Sequence, residues 1–195
     1  MMTYNSPLNF VHKIGKFGNH EKKNENDLLK VSEVSGLSIF QIAQYRNSNF
    51  DISKIRLDGL SFPSSLNLTS NTNTRILWLG PNNWLIFSSV LDLIEKEKDQ
   101  LHDTDFAITN ISDSRTIIQL EGILVNEVLK KGCPLDINSL KEGNCANSVY
   151  NGINITIDFI SDNPKIVRIS GLRSFGESLH HSITDACLEF GYKAI

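Results

Sequence analysis

Cys133 is the side chain whose neighbours come nearest to activating a nucleophile, because Lys130 and Lys131 stand just before Gly132 and the thiol. Nearby ammonium groups favour the thiolate, the form that attacks electrophiles and exchanges disulfides. The same cysteine closes a segment with helical spacing, and the partial negative charge of a helix C-terminus opposes the thiolate. No histidine within ten residues stands ready as a base. Cys145 precedes a strand-like run with no charged residue nearer than Glu142, and Cys187 falls on the apolar stripe of the last helical segment. Both read as core residues. His180 and His181 are adjacent, so on a helix they diverge by about 100° and cannot hold one metal ion together. His12, His20 and His102 are isolated, no HExxH motif occurs, and three scattered cysteines make neither a CxxC knuckle nor a disulfide framework. Ser114 and Ser174 stand near Arg115 and Arg173, but neither lies in a GxSxG elbow. Asp113 with Arg115 has the polarity to orient a ligand carboxylate, although aspartate in such a place more commonly stabilises a turn. Arg173 is equally ambiguous, and Trp78 and Trp84 suit hairpin packing better than a stacking platform. No catalytic residue and no metal ligand is assigned on this basis, and cofactor-binding positions stay unknown.

The elements that would position these groups follow from periodicity. Alternating apolar residues over Ser38–Tyr45 predict a strand. Arg75–Leu79 and Trp84–Phe87, joined by Gly80-Pro81-Asn82-Asn83, predict a hairpin, and the polar stretch 58–73 predicts a long loop. Ser89 is placed to cap a helix carrying Val90, Ile94 and Leu101, with a solvated charged face at 95–99. Phe106–Ile111 and Thr116–Leu120 form a second strand pair about the turn Ser112–Arg115. A helix over Gly122–Lys131 is expected to close with Gly132 in the left-handed conformation and Pro134 blocking continuation. Ile153, Ile155, Ile157 and Phe159 alternate with polar residues, as a half-buried strand requires, and Lys165–Ile169 is a further strand. The last helix opens at Ser174-Phe175-Gly176-Glu177, with capping-box spacing. It buries Phe175, Leu179, Ile183, Ala186, Cys187 and Phe190, and ends at Gly191. Strand pairs followed by helices predict an α+β fold, helices packed on a mixed or antiparallel sheet. The absence of GxGxxG and GxxxxGK[ST] disfavours the doubly wound nucleotide folds.

Composition sets the outer bounds. The chain has 195 residues, 40% hydrophobic and 21% charged, which is enough to bury a core. Its formal net charge of −3 offers no general attraction to nucleic acid or acidic lipid. No apolar run is long enough for a membrane helix, and the N-terminal segment lacks the apolar core of a signal peptide, so a cytoplasmic location is expected. Residues 1–27 are dominated by Asn, Lys, His, Gly and Glu, and 20–27 contain no apolar side chain. They read as a flexible arm, with Ser6-Pro7-Leu8-Asn9-Phe10-Val11 as a short patch suited to docking, ahead of a single α+β domain at 28–195.

Three segments then carry a resemblance. Leu77-Trp78-Leu79-Gly80-Pro81-Asn82-Asn83-Trp84-Leu85-Ile86 resembles the LWLGPDEWLL hairpin of the gamma subunit family of heterotetrameric sarcosine oxidase, with Asn82-Asn83 in place of an acidic pair. Lys131-Gly132-Cys133-Pro134-Leu135-Asp136-Ile137 resembles its KGCPLDL segment, and Arg173-Ser174-Phe175 its RSF segment at the start of the final helix. Ser6-Pro7-Leu8 and Leu60-Ser61-Phe62-Pro63 are weaker echoes in the same order. The resemblance implies a fold like the folate-binding domain of aminomethyltransferases and a small non-catalytic subunit. The implied complex oxidatively demethylates sarcosine to glycine and passes the one-carbon unit to tetrahydrofolate. It also implies alpha, beta and delta partners, chiefly alpha, with FAD, FMN, NAD and zinc in those other subunits and no cofactor on this chain alone. Two alternatives remain open. One is a stand-alone folate-binding or one-carbon-transfer protein of the aminomethyltransferase type; the other is a redox thiol protein centred on Cys133. The related iron–sulfur maintenance proteins continue KGC differently, and Pro134-Leu135-Asp136-Ile137 counts against that branch.

Overall fold

The computed structural model describes residues 5–21 and 23–195. In chain order these form β1 (Gly15–Phe17), β2 (Leu29–Glu33), β3 (Ser38–Gln44), β4 (Arg56–Leu57), β5 (Leu60–Ser61), β6 (Leu68–Ser70), β7 (Thr74–Gly80) and β8 (Asn83–Ser88). The short helix α1 (Leu93–Glu97) precedes β9 (Phe106–Asn110), β10 (Arg115–Glu121), α2 (Val125–Gly132) and β11 (Cys145–Tyr150). The chain ends in β12 (Ile153–Asp162), β13 (Lys165–Leu172), α3 (Gly176–Leu188) and β14 (Tyr192–Ala194). The α+β class is as expected. The single domain is not, because contacts divide the chain into two compact units.

One unit comprises the described residues up to Ser35 with Ser114–Glu142 and Asn147–Ile195. Its seven-stranded sheet runs β1-β14-β2-β10-β13-β12-β11, with β14 parallel to β2 and the long β10, β13 and β12 antiparallel neighbours. Strand alternation puts Ile118, Leu120, Ile155, Ile157, Phe159, Val167 and Ile169 into one core. Leu179, Ile183, Ala186 and Cys187 recur along one face of α3 and close over it, beside Val125, Val128 and Leu129 of α2.

The flexible arm is corrected here. Leu8 is 0% exposed within that core, and Ser6 hydrogen-bonds the Glu33 carboxylate while its hydroxyl accepts the Leu8 N–H at 2.9 Å. Further on, β1 pairs antiparallel with β14, setting the Phe17 ring on that of Tyr192 at 5.2 Å. Average polarity hid this because one leucine in a tight turn and a three-residue backbone ladder fix the segment. Among the arm residues, 1–4 and Lys22 lie outside the described residues.

The other unit is Gly36–Asp113 with Gly143–Ala146. Its antiparallel sheet runs β6-β7-β8-β3-β9, and Phe40, Ile42, Ile76, Trp84, Ile86, Leu93 and Phe106 form its core. The predicted hairpin is β7–β8, with Trp78 opposite Trp84 and Asn82 at φ 55, a conformation asparagine tolerates. The stretch predicted as loop contains β5 and β6.

Three helix ends differ from expectation. Ser89 caps nothing: α1 starts four residues later and lasts little more than a turn, because the charged run 95–99 offers no apolar face. Gly132 is the last residue of α2 and does not have positive φ; the helix ends because Cys133 turns extended ahead of Pro134. The capping box at Ser174 is not formed, since a 3-10 turn over Arg173–Phe175 draws that serine inside the helical turn. Phe175, expected in the core, is consequently 49% exposed. No described helix is long and apolar enough to cross a membrane.

Candidate functional site

The cysteines take structural positions. Cys133 is buried, its Sγ 3.3 Å from the Ser148 hydroxyl. Cys145 points at the carbonyls of Asn67 and Trp78. Cys187 is fully buried, and desolvation pushes its thiol up to about 12 against the opposing charge of Lys131, so it stays protonated at neutral pH. Trp84 is a core residue whose indole N–H donates to the Pro63 carbonyl at 3.0 Å, and Phe62 meets it edge-on at 4.9 Å. Trp78 packs against the same core.

Packing also explains why the family-like segments have the residues they have. At Gly132 a Cβ would lie 2.8 Å from the Tyr150 ring, whose hydroxyl donates to the Val128 carbonyl at 2.9 Å. Gly132→Ala should therefore overpack α2 against β11 and cost about 1–3 kcal/mol, read as a shifted urea midpoint at constant slope. Asp136 caps the 3-10 turn that follows, accepting the Asn138 N–H at 3.2 Å. Arg173 donates to the Asn5 carbonyl, and Gly176 lies against Pro7 and Thr116, so the Ser6-Pro7-Leu8 and Arg173-Ser174-Phe175 segments hold each other.

Two clefts of the first unit gather the remaining candidates. The larger, about 650 Å³, is lined by Ser114, Ser174, Arg173, Glu177 and Ser178 with Pro7 and Leu172. It unites the two serines and Arg173 noted in the sequence, but its lining holds no histidine to activate a hydroxyl and no aromatic wall for a pterin. Asp113 lies exposed on the turn before β10. Arg115 is half-buried at the start of β10, its Nε without a partner among the described residues, and desolvation lowers its pKa.

The smaller cleft, about 340 Å³, lies among Phe10, Val11, Lys13, Phe17, His180, His181, Thr184, Tyr192 and Ala194. That volume is at the low end for a ligand pocket. Beside it lies a contact the sequence did not signal: His12 Nδ1 is 3.1 Å from His180 Nε2, and His12 Nε2 is 3.0 Å from the Ile195 carbonyl. Only a docked arm could bring residues 168 positions apart together. His181 is exposed, and His20 turns to the Gly18 carbonyl. Among the described residues no three His, Cys, Asp or Glu side chains are grouped to hold a metal ion.

Burial, with the nearby imidazoles of His12 and His181, holds His180 down to about 4. The unfolded chain takes up that proton near 6.5, so His180 leaves stability intact above that pH and erodes it as pH falls toward 4. The loss should approach roughly 3 kcal/mol in urea titrations stepped across that window, and His180→Gln should flatten it.

With the geometry in place, comparison decides the family. The model of the "Sarcosine oxidase, gamma subunit family" matches residues 46–189. The chain belongs to the sarcosine oxidase gamma subunit family. Sarcosine oxidase subunit gamma of Corynebacterium sp. (strain U-96) is 27% identical over 135 residues, 68% of this chain and 66% of that protein. The heterotetrameric sarcosine oxidase of Corynebacterium sp. U-96, solved with pyrrole 2-carboxylate, contains a chain that superposes with a TM-score of 0.78 at 20% identity, covering 96% of both. Glycine cleavage system aminomethyltransferase T of Bartonella henselae superposes with a TM-score of 0.63 at 9% identity, over 88% of this chain and 48% of that one. The fold is thus shared with a chain of that enzyme across nearly the whole length, and the aminomethyltransferase similarity covers about half of the larger protein.

Proposed function

We propose that this chain is the small, non-catalytic subunit of a heterotetrameric oxidase that demethylates sarcosine to glycine and transfers the one-carbon unit to tetrahydrofolate. Membership of the gamma family over residues 46–189 carries this reading. Its partners would be the alpha, beta and delta chains, with alpha the principal contact. FAD, FMN, NAD, zinc and tetrahydrofolate would be held by those chains, in the cytoplasm. The reading is supported by the packing roles of the family-like segments and of all three cysteines. Phe10, 82% exposed, and Ile14, 71% exposed, flank His12 on the docked arm and are among the exposed apolar side chains that assembly would cover.

The test is co-expression of the other three subunits with and without this chain. Omission should reduce the yield of assembled complex and its sarcosine-dependent peroxide formation together. Phe10→Ser with Ile14→Ser should weaken assembly without changing the unfolding midpoint of the isolated chain. Full assembly and turnover without the chain would reject the reading. The aminomethyltransferase fold similarity favours one alternative, a folate-binding protein acting alone. Calorimetry on the full chain separates the two, since only that alternative expects heat on titration with tetrahydrofolate.

A further inference from the structure

The segment between Leu8 and β1 is anchored at both ends and tied in the middle. Leu8 is sunk in the core, the N–H groups of Val11 and His12 turn back to its carbonyl at 3.0 and 2.8 Å, and β1 is laddered to β14. Between these anchors, Val11 packs on the core, and His12 reaches α3 through His180 and the residue after β14 through the Ile195 carbonyl. A carbonyl only accepts, so His12 Nε2 carries a proton in every closed state. With both rings otherwise neutral, His180 Nε2–H donates to His12 Nδ1. One added proton is accommodated: His12 becomes the double donor, and His180 changes tautomer to offer its Nε2 lone pair. A second added proton leaves no acceptor, and two N–H groups then face each other across 3.1 Å.

We infer that His12, His180 and the Ile195 carbonyl form an acid-released clasp, which holds residues 9–14 against α3 and β14 and opens when both imidazoles are charged. The surroundings push the same way. The cleft beside the pair presents Lys13 from the arm, His181 from α3 and Tyr192 from β14, with no carboxylate side chain in its lining. Burial opposes the second proton further, holding His180 to about 4. Opening would be local, because Leu8 and β1 remain in place, and it would free the exposed Phe10 and Ile14 from their fixed presentation.

The clasp stands on this chain's own geometry and does not depend on the oxidase reading. Long-range proton–nitrogen spectra of the full chain, recorded from neutral pH to about 4, report the state of each imidazole, and hydrogen exchange reports opening. His180 should titrate at least about one pH unit below the ordinary imidazole value of about 6.5, and exchange in 9–14 should rise about tenfold or more relative to β2 as it does so. His180→Gln keeps an N–H donor toward His12 and cannot be charged, so its exchange in 9–14 should stay flat over the same range. The proposal is overturned if His180 titrates at the ordinary imidazole value of about 6.5, if exchange in 9–14 is unchanged, or if β2 opens in step with it. It is equally overturned if His180→Gln opens at the same pH as the unaltered chain.

Discussion

Leu8→Ala is expected to destabilise the chain by about 2–5 kcal/mol, the cost of emptying a leucine-sized site in a closed core. Leu8 has no exposure and packs in one cluster with Val31, Leu120, Leu179 and Ile183. Ser6 and the Arg173 bond to Asn5 fix the chain before Leu8, and the Val11 and His12 N–H groups turn back to its carbonyl, so the site has little freedom to collapse. The shift appears in urea unfolding followed by circular dichroism, as a lower midpoint at unchanged slope. Removing residues 1–27 should do more, since it also strips β1 from β14. A variant with the parent's stability would show that the arm is not part of the fold.

Gly18→Ala should cost about as much, by a different route. Gly18 has φ of +70°, and a Cβ there would fall on the backbone of Leu188, 2.6 Å from its Cα. Backbone cannot swing aside as a flexible side chain does, so the turn after β1 would have to leave the end of α3. The Asn19 N–H to Leu188 carbonyl bond of 2.8 Å would be lost with it. Gly36 separates the two causes, because its φ is +75° with nothing within 4 Å of a Cβ. Gly36→Ala should cost only the left-handed penalty, about 1–2 kcal/mol, and Gly18→Ala about 3–5 kcal/mol or a failure to accumulate folded protein. Equal effects at the two glycines would refute the close approach.

Much of this fold is legible from side-chain period alone. The alternation at Ile153–Phe159, the Trp78–Trp84 hairpin and the apolar stripe of α3 lie where the spacing puts them, because each buries one face locally. What composition misjudged is the N-terminal segment, where the deciding facts are one buried leucine and a ladder to β14. Helix starts were misread for a related reason. Ser174 and Glu177 have the right spacing for a capping box, yet a preceding 3-10 turn displaces the serine. The division into two units was hidden as well, since Ser114–Glu142 rejoins the sheet of the first unit after a long excursion. At the candidate sites, periodicity places Ser114 in one turn and Arg173 with Ser174 at the start of the last helix, and only the fold shows that they share a cleft. The His12–His180 contact has no local signature whatever.

The central claim, that this chain works as a subunit of a flavin-dependent sarcosine oxidase, is tested most directly by affinity purification from the native cell. Mass spectrometry and an absorption spectrum of the eluate give the answer. Three partner chains in fixed ratio, a flavin spectrum and sarcosine-dependent peroxide formation are the expected result. A lone, colourless chain that retains folate would contradict it.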